Sequence, residues 1–269
     1  MRFRGSFAPV AVALAWTTIL AAWSGVCPAE GPVAVIPSAD LIVQRMITAN
    51  TKRSEQLRAF TGKRSYRVDY HGFPGGRDAE MQVEATYVAP DQKTFKILSQ
   101  TGSKLLINHV FLKLLDSEKE YLQESTRRAS ELSPRNYRFS LEGMDHGSDG
   151  DCYVLSVTPL EKSTFLYRGK IWVDAHDYAV VRIQGEPAKN PSLWISHTEI
   201  DHRYKKFGEF WLPVHNESVT QVRLGGKAVL TIDYSDYQVS ATNRASGSPH
   251  GADRAPVPPS PTSVTADPH

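Results

Sequence analysis

Hydrophobic and polar positions change period several times along this chain, and each change predicts an element. Ser38 stands where a helix N-cap would, with Asp40 in the first turn behind it. Ile42, Val43, Met46, Ile47 and Leu57 follow on one helical stripe, which predicts a helix ending near Gly62. The period then drops to two. Tyr66, Val68 and Tyr70 alternate with Arg67, Asp69 and His71, the glycine-rich "HGFPGGRD" turns the chain, and Met81, Val83, Ala85 and Tyr87 alternate on the returning arm. "KTFKILSQ" supplies a third strand. The helical period returns in "SKLLINHVFLKLLDSEKEYLQESTRRAS", with Ile107, Val110, Phe111, Leu114, Tyr121 and Leu122 on one side. His109, Lys113, Asp116, Ser117 and Glu120 take the other side, and Pro134 stops the helix. Short strand patterns fill the remainder: "NYRFSLEG", "CYVLSVTP", "TFLYRGKIWVDA", "YAVVRIQGE", "LWISHTEIDHRYKKF", "EFWLPVHNESVTQV" and "AVLTIDYSDYQV".

Helices that do not alternate with strands argue against a parallel α/β enzyme. The pattern predicts an α+β fold, mainly antiparallel β: one strongly curved sheet of about ten strands with helices laid across it. The inward positions are bulky, among them Tyr66, Val68, Met81, Phe95, Ile97, Phe139, Leu155, Ile171, Val173, Trp194, Ile200, Phe210, Leu212 and Ile232. An ordinary packed core accounts for such a set. Helices that fail to fill so wide an apolar face would leave a hydrophobic cavity instead.

The ends of the chain read differently from its middle. Arg2 and Arg4 precede an apolar run from Phe7 to Ala22, which closes on Cys27-Pro28-Ala29, as in a secretory signal peptide cut after Ala29. Acylation at Cys27 is the lesser reading, because Ser24 and Val26 depart from a lipoprotein signal. Of 31 Lys and Arg, cleavage removes two, leaving 29 against 29 Asp and Glu. A net charge of zero gives no field for steering nucleic acid or anionic membrane. Cys152 is then the single cysteine left, among strand residues, so an internal disulfide is not expected. From residue 241 to 269 the composition turns to Pro, Ser, Gly, Ala and Thr, too polar to offset its chain entropy, and a disordered tail is expected. Residues 30–240 remain as one domain.

Catalytic signatures are missing: there is no glycine-flanked serine elbow, His-Glu-x-x-His, Walker loop, dinucleotide fingerprint or Cys-x-x-Cys. In "SHTEIDHRY", His197, Glu199 and Asp201 share one strand face while His202 points the other way; a solvated face explains this row better than a metal site. Phe165, Tyr167, Trp172, Trp194 and Trp211 leave a glycan ligand as a weak option. "GKIWVDAHDYAVVRI" places two carboxylates and an imidazole within four positions. Ile171 and Val173 alternate with Trp172 and Asp174 before it, and Val181 and Ile183 alternate with Val180 and Arg182 after it. Ala175-His176-Asp177 is therefore a hairpin turn, with Asp174 accepting backbone N–H bonds, and not an acid–base site.

"YRGKIWVDAHDYAVVRI" and the later "KKFGEFWLPVHNES", with Gly208, Trp211, Leu212 and Pro213, resemble the outer-membrane lipoprotein-sorting proteins LolA and LolB and their regulatory relative RseB. The resemblance covers residues 38–240 in element order. It implies an unclosed β-barrel lidded by two or more helices, whose apolar interior receives acyl chains of lipoproteins or free lipid. It further implies a periplasmic monomer with no cofactor, no metal and no catalysis, exchanging cargo with membrane-protein donors and acceptors. The expected cavity residues are Phe95, Ile97, Ile107, Val110, Phe111, Leu114, Ile171, Val173, Val181, Ile183, Trp194 and Leu212, with the 107–114 face as a lid closing on Phe95, Ile97, Ile171 and Val173. An RseB-like sensor or adaptor acting on a membrane partner is the alternative, and an exported hydrolase of acyl or glycan substrates a weaker one.

Overall fold

A computed structural model describes residues 36–147, 150–190, 195–223 and 225–241. The expected signal peptide with Cys27, the expected tail beyond Ala241, and Trp194 lie outside the described residues. α1 (Ala39–Gln56) leads into three strands, β1 (Leu57–Gly72), β2 (Arg77–Val88) and β3 (Gln92–Gly102). A helical stretch follows: α2 (Lys104–Leu106), a π-helical turn (Ile107–Phe111), α3 (Leu112–Glu120) and α4 (Glu124–Ser130). Seven more strands complete the chain: β4 (Tyr137–Gly147), β5 (Gly150–Pro159), β6 (Tyr167–Asp174), β7 (Val180–Pro187), β8 (Ile195–Phe207), β9 (Phe210–Val222) and β10 (Gly226–Ala241).

All ten strands form one antiparallel sheet in the order β3-β2-β1-β10-β9-β8-β7-β6-β5-β4. It is not closed, since β3 and β4 each have a neighbour on one side only. Because those two edges are consecutive in the chain, the helical segment between Gly102 and Tyr137 must cross from one edge to the other. The topology thus lays helices over one face of the sheet.

Register identifies that face. One transverse row runs Met81, Tyr66, Ile232, Asn216, His202, Ile183, Ile171, Leu155 and Leu141, from β2 through to β4. The row is apolar at both ends and polar at β8 and β9, so the core divides. One cluster packs Ile42, Val43 and Met46 of α1 on Tyr137, Tyr153, Leu155, Val157, Leu166, Ile171 and Val173. The other packs Leu106, Ile107, Phe111 and Leu115 on Tyr66, Val68, Ala79, Met81, Val83 and Ile232. Removing such faces from water supplies most of what holds helices to sheet, at about 25 cal/mol per Å² of apolar surface.

Two sequence expectations are corrected. α1 ends at Gln56 instead of near Gly62, and Leu57 opens β1. Tertiary contact decides this: Phe60 stacks on Tyr87 at 5.3 Å and meets Tyr237 edge-on at 6.0 Å, while Gly62 lies under the Tyr237 ring, where a Cβ would stand 2.9 Å from it. The single helix expected over 103–130 is interrupted twice, by the π turn and after Glu120. An extra residue in a π turn shifts the helical phase. Burial accordingly passes through Ile107, Phe111 and Leu115, leaving Leu114 half-buried and Tyr121 41% exposed.

A compact ion network fastens α3 to the sheet. Glu118 accepts from Arg64 of β1 at 2.5 Å and from Lys93 of β3 at 2.6 Å. Arg64 is 5% exposed and also lies over the rings of Phe95 and Tyr234. Burial pushes the Glu118 pKa up, but the two cations outweigh it and hold the carboxyl below its ordinary value of 4.5. A pKa lowered on folding stabilises above the unfolded value and stops doing so as pH falls through the folded one. Glu118→Gln should cost about 3 kcal/mol at neutral pH, because Arg64 is left buried without its anion. Denaturant unfolding at pH 7 and pH 3 checks this: the variant's deficit should be large at pH 7 and shrink at pH 3.

Candidate functional site

The large apolar side chains of α1 stop at Ile47. Its last turns carry Asn50, Arg53 and Ser54, among which the Arg53 stem alone offers hydrocarbon to the sheet beneath them. A cavity of about 430 Å³ opens there, between those turns and the inner face of β6–β9. Leu57, Leu132, Ala179, Val180, Ile183, Phe210 and Leu212 give it an apolar wall. Asn50, Arg53, Ser54, Ser130, Tyr167, Tyr204 and Trp211 add polar atoms. The volume falls within the roughly 300–1,000 Å³ of small-molecule sites, and an apolar wall with few polar groups is their usual make-up.

Local irregularities shape this space. A bulge between Trp172 and Val173 pairs Val173 with Val180, and another sits between Arg203 and Tyr204. Gly169 and Gly185 oppose each other across β6 and β7, so close that a Cβ on Gly185 would lie 2.1 Å from the Arg168 carbonyl oxygen. The two glycines allow that close approach of β6 and β7, and they line a separate, charged hollow rather than this cavity.

The turn after β6 holds one end of the cavity. Asp174 Oδ1 accepts from the backbone N–H groups of His176 (2.9 Å) and Asp177 (2.6 Å), as the sequence predicts. Asp177 does more than turn a corner. Its Oδ2 accepts from Trp211 Nε1 at 3.0 Å and from Lys206 Nζ at 2.8 Å, and its carbonyl accepts from Arg53 at 3.0 Å. Two cavity-lining residues on different elements are thus tied to one loop residue. The Lys206 hydrogen bond, with help from Trp211, holds the Asp177 carboxyl below its ordinary pKa despite partial burial. Arg53 has its pKa lowered by burial, against the charges of Asp177, Asp174 and Glu209.

The expected cavity residues separate into three groups. Ile183 and Leu212 line the cavity. Ile171 and Val173 are fully buried in the α1 cluster, and Val181 is 5% exposed. Ile107 and Phe111 belong to the second cluster, with Phe95, Val110 and Leu114 packed against it, while Ile97 on edge strand β3 is 42% exposed. The 107–114 face therefore covers β1, β2 and β10 and does not close on Ile171 and Val173. That pairing is corrected: the helical stretch takes the β1–β3 half, and α1 takes the other.

Polar groups at the centre of the inner face were missed by the sequence reading. His202 lies in register with Asn216 there, and burial pushes its pKa down to about 4, so its imidazole is neutral at pH 7. Asn216 donates to the Tyr234 hydroxyl at 2.9 Å, but its buried Oδ1 has no hydrogen-bond partner among the described residues. On the opposite face a hollow of about 440 Å³ is lined by Arg168, Glu186, His197, Glu199, Asp201 and Glu217. Its charges are mostly paired: His197 with Glu186 and Glu199, and Asp201 with Arg182 and Arg203. Among the described residues no group of three or more His, Cys, Asp or Glu is arranged to hold a metal ion, and no helix is long and apolar enough to cross a membrane.

No family model and no curated protein matches the chain. Among solved structures it is similar to a domain assigned to outer membrane lipoprotein sorting from Vibrio parahaemolyticus, at 12% identity and a TM-score of 0.41, over 77% of this chain and 95% of that one. It is similar also to a LolA superfamily protein from Nitrosomonas europaea, at 12% identity and a TM-score of 0.32, over 76% and 94%. A third likeness is to the Pseudomonas aeruginosa MucA/MucB complex, at 9% identity and a TM-score of 0.24, over 75% and 94%. Such values describe a loose likeness of architecture.

The turn's role yields a measurable expectation. Asp177→Ala removes the acceptor of Trp211 and Lys206, and should cost about 1–2 kcal/mol. It should also shift Trp emission to the red as the indole becomes wetter. Unchanged emission and stability would contradict the assigned contacts.

Proposed function

We propose that this chain is an exported, non-enzymatic carrier that takes acyl chains of lipoproteins or other lipids into the cavity beneath α1. The observation that supports this most is the apolar 430 Å³ space on the inner face of an unclosed sheet, walled by Leu57, Val180, Ile183, Phe210 and Leu212. Burying hydrocarbon there contributes ~0.8 kcal/mol per methylene, so about ten methylenes give ~8 kcal/mol before the costs of association. No covalent chemistry is needed for useful affinity. Export follows from the leader-like N-terminus, and outer-membrane sorting is the cargo route that the sequence resemblance suggests.

In this reading Ile183 and Leu212 contact cargo directly, and Ile171 and Val173 form the floor under α1. Phe95, Ile107, Val110, Phe111 and Leu114 make a lid already filled by its own side chains, with Ile97 at its edge. A longer or second chain enters that half only when α3 lifts, which requires the Glu118 ion pairs to break.

Purification from the producing cell followed by lipid mass spectrometry tests the proposal, alongside uptake of a fluorescent fatty-acid probe. Acyl species should co-purify, and Ile183→Glu should weaken probe binding at least tenfold with the circular-dichroism spectrum retained. A lipid-free protein that takes up no probe contradicts the carrier reading. Capture of a membrane protein whose binding changes with lipid occupancy would move the assignment to a sensor or adaptor using the same cavity.

A further inference from the structure

Arg53 is the one charged residue that lines the cavity beneath α1, and among the described residues no Asp or Glu shares that lining. It stands half-buried in the last turn of the helix. Its two hydrogen bonds to described residues both go to neutral acceptors: Nη1 donates to the Asp177 carbonyl at 3.0 Å, and Nη2 to Asn50 Oδ1 at 2.9 Å. A guanidinium carries five N–H donors, so three remain. Burial is the largest influence on the Arg53 pKa and pulls it down, because the cation has lost water there. Asp177, Asp174 and Glu209 act on it from outside the cavity, and the Asp177 carboxyl is itself taken by Lys206 and Trp211. A half-buried cation with no described carboxylate in ion-pair contact is unfavourable in a fold, and an anion in the cavity would relieve it.

The neighbouring chemistry points the same way. Asn50 precedes Arg53 by three positions, on the same face of the helix. Its amide hydrogens are left over once Oδ1 has accepted from Arg53. Donors therefore stand on the helix side of a space whose sheet side, with Val180, Ile183, Phe210 and Leu212, is apolar. That is the make-up of a site for hydrocarbon with one anionic end. One cation balances one negative charge. A phosphate monoester carries about 1.5 to 2 at neutral pH, and the excess would stand uncompensated in the field of Asp174, Asp177 and Glu209. A carboxylate fits the charge available, and its two oxygens match the fork of a guanidinium.

We infer that the cavity beneath α1 takes a single acyl chain ending in a free carboxylate, a fatty acid, with that carboxylate paired to Arg53. This rests on the acyl-binding reading above and names the ligand class for the same site. Arg53 is the specificity residue: it recognises the head, while the apolar wall holds the chain whatever its end.

Displacement of the neutral probe N-phenyl-1-naphthylamine from the delipidated full chain at pH 8 tests the inference, with dodecanoate, 1-dodecanol and dodecyl phosphate as competitors. Dodecanoate should bind at least about tenfold tighter than dodecanol, the contribution of charge-assisted hydrogen bonds. Arg53→Gln should bring dodecanoate down to dodecanol's affinity and leave dodecanol and the probe unchanged. Asn50→Asp, at an exposed helix position, gives Arg53 an internal carboxylate and should weaken dodecanoate alone. Equal binding of dodecanoate and dodecanol by the wild type overturns the inference, as does dodecanoate binding that neither variant weakens. Dodecyl phosphate binding tighter than dodecanoate overturns the carboxylate assignment. Failure of the probe and all three amphiphiles to bind is a different result: it removes the acyl-binding reading itself.

Discussion

The rest of the molecule depends on one requirement, that the apolar face of a ten-stranded sheet be removed from water by a small amount of helix. Nine of those strands present that face in one row from Met81 on β2 to Leu141 on β4. α1 and the stretch from Lys104 to Ser130 are all the helix available among the described residues. Each covers one half, and neither covers the middle. The fold responds by making the middle polar, with Asn216 and His202 in the central row. The half under α1 remains partly empty where the helix runs out of hydrocarbon.

Seen this way, cavity and lid are complementary results of the same shortage. Where apolar side chains reach the sheet, as at Ile42, Met46, Phe111 and Leu115, the contact is dry and close-packed. Where α1 turns polar at Asn50, Arg53 and Ser54, the sheet stays hollow, and polar ties such as Arg53 to Asp177 hold the walls apart. Electrostatics supplements packing on the other half, where Arg64, Lys93 and Glu118 pin a helix whose buried stripe is narrow. The two halves differ in a way that suits different tasks: one is preformed space, the other a cover held by breakable ion pairs.

Much of this was legible in the sequence, for reasons that are physical. Period-two alternation in β1, β2, β5 and β6 reports strands with one buried face, and a bulge, which inverts the phase beyond it, limits that signal to each uninterrupted run. The Asp174 turn was readable because an Asx side chain that accepts backbone N–H bonds is local chemistry. What could not be read depended on distant contacts. The early end of α1 follows from Phe60 meeting Tyr87 and Tyr237, residues far along the chain. The shift of burial from Leu114 to Leu115 follows from a π turn that no local pattern announces. The cavity was expected beneath the strongest amphipathic stretch, but a stripe that good fills its own groove. A better signal was the loss of large apolar residues after Ile47 in α1, which marks the place where the sheet would be left uncovered. Tyr167, Tyr204 and Arg53 became site residues only through that gap.

The central claim is that an acyl chain occupies the space beneath the end of α1. Photo-crosslinking with a diazirine-bearing monoacylglycerol, followed by peptide mass spectrometry, addresses it most directly. The account predicts label on peptides containing Leu57, Tyr167, Val180 to Ile183 and Phe210 to Leu212, lost on competition with unlabelled lipid. Label confined to β1–β3 and α3, or scattered over the charged face with no competition, would contradict it.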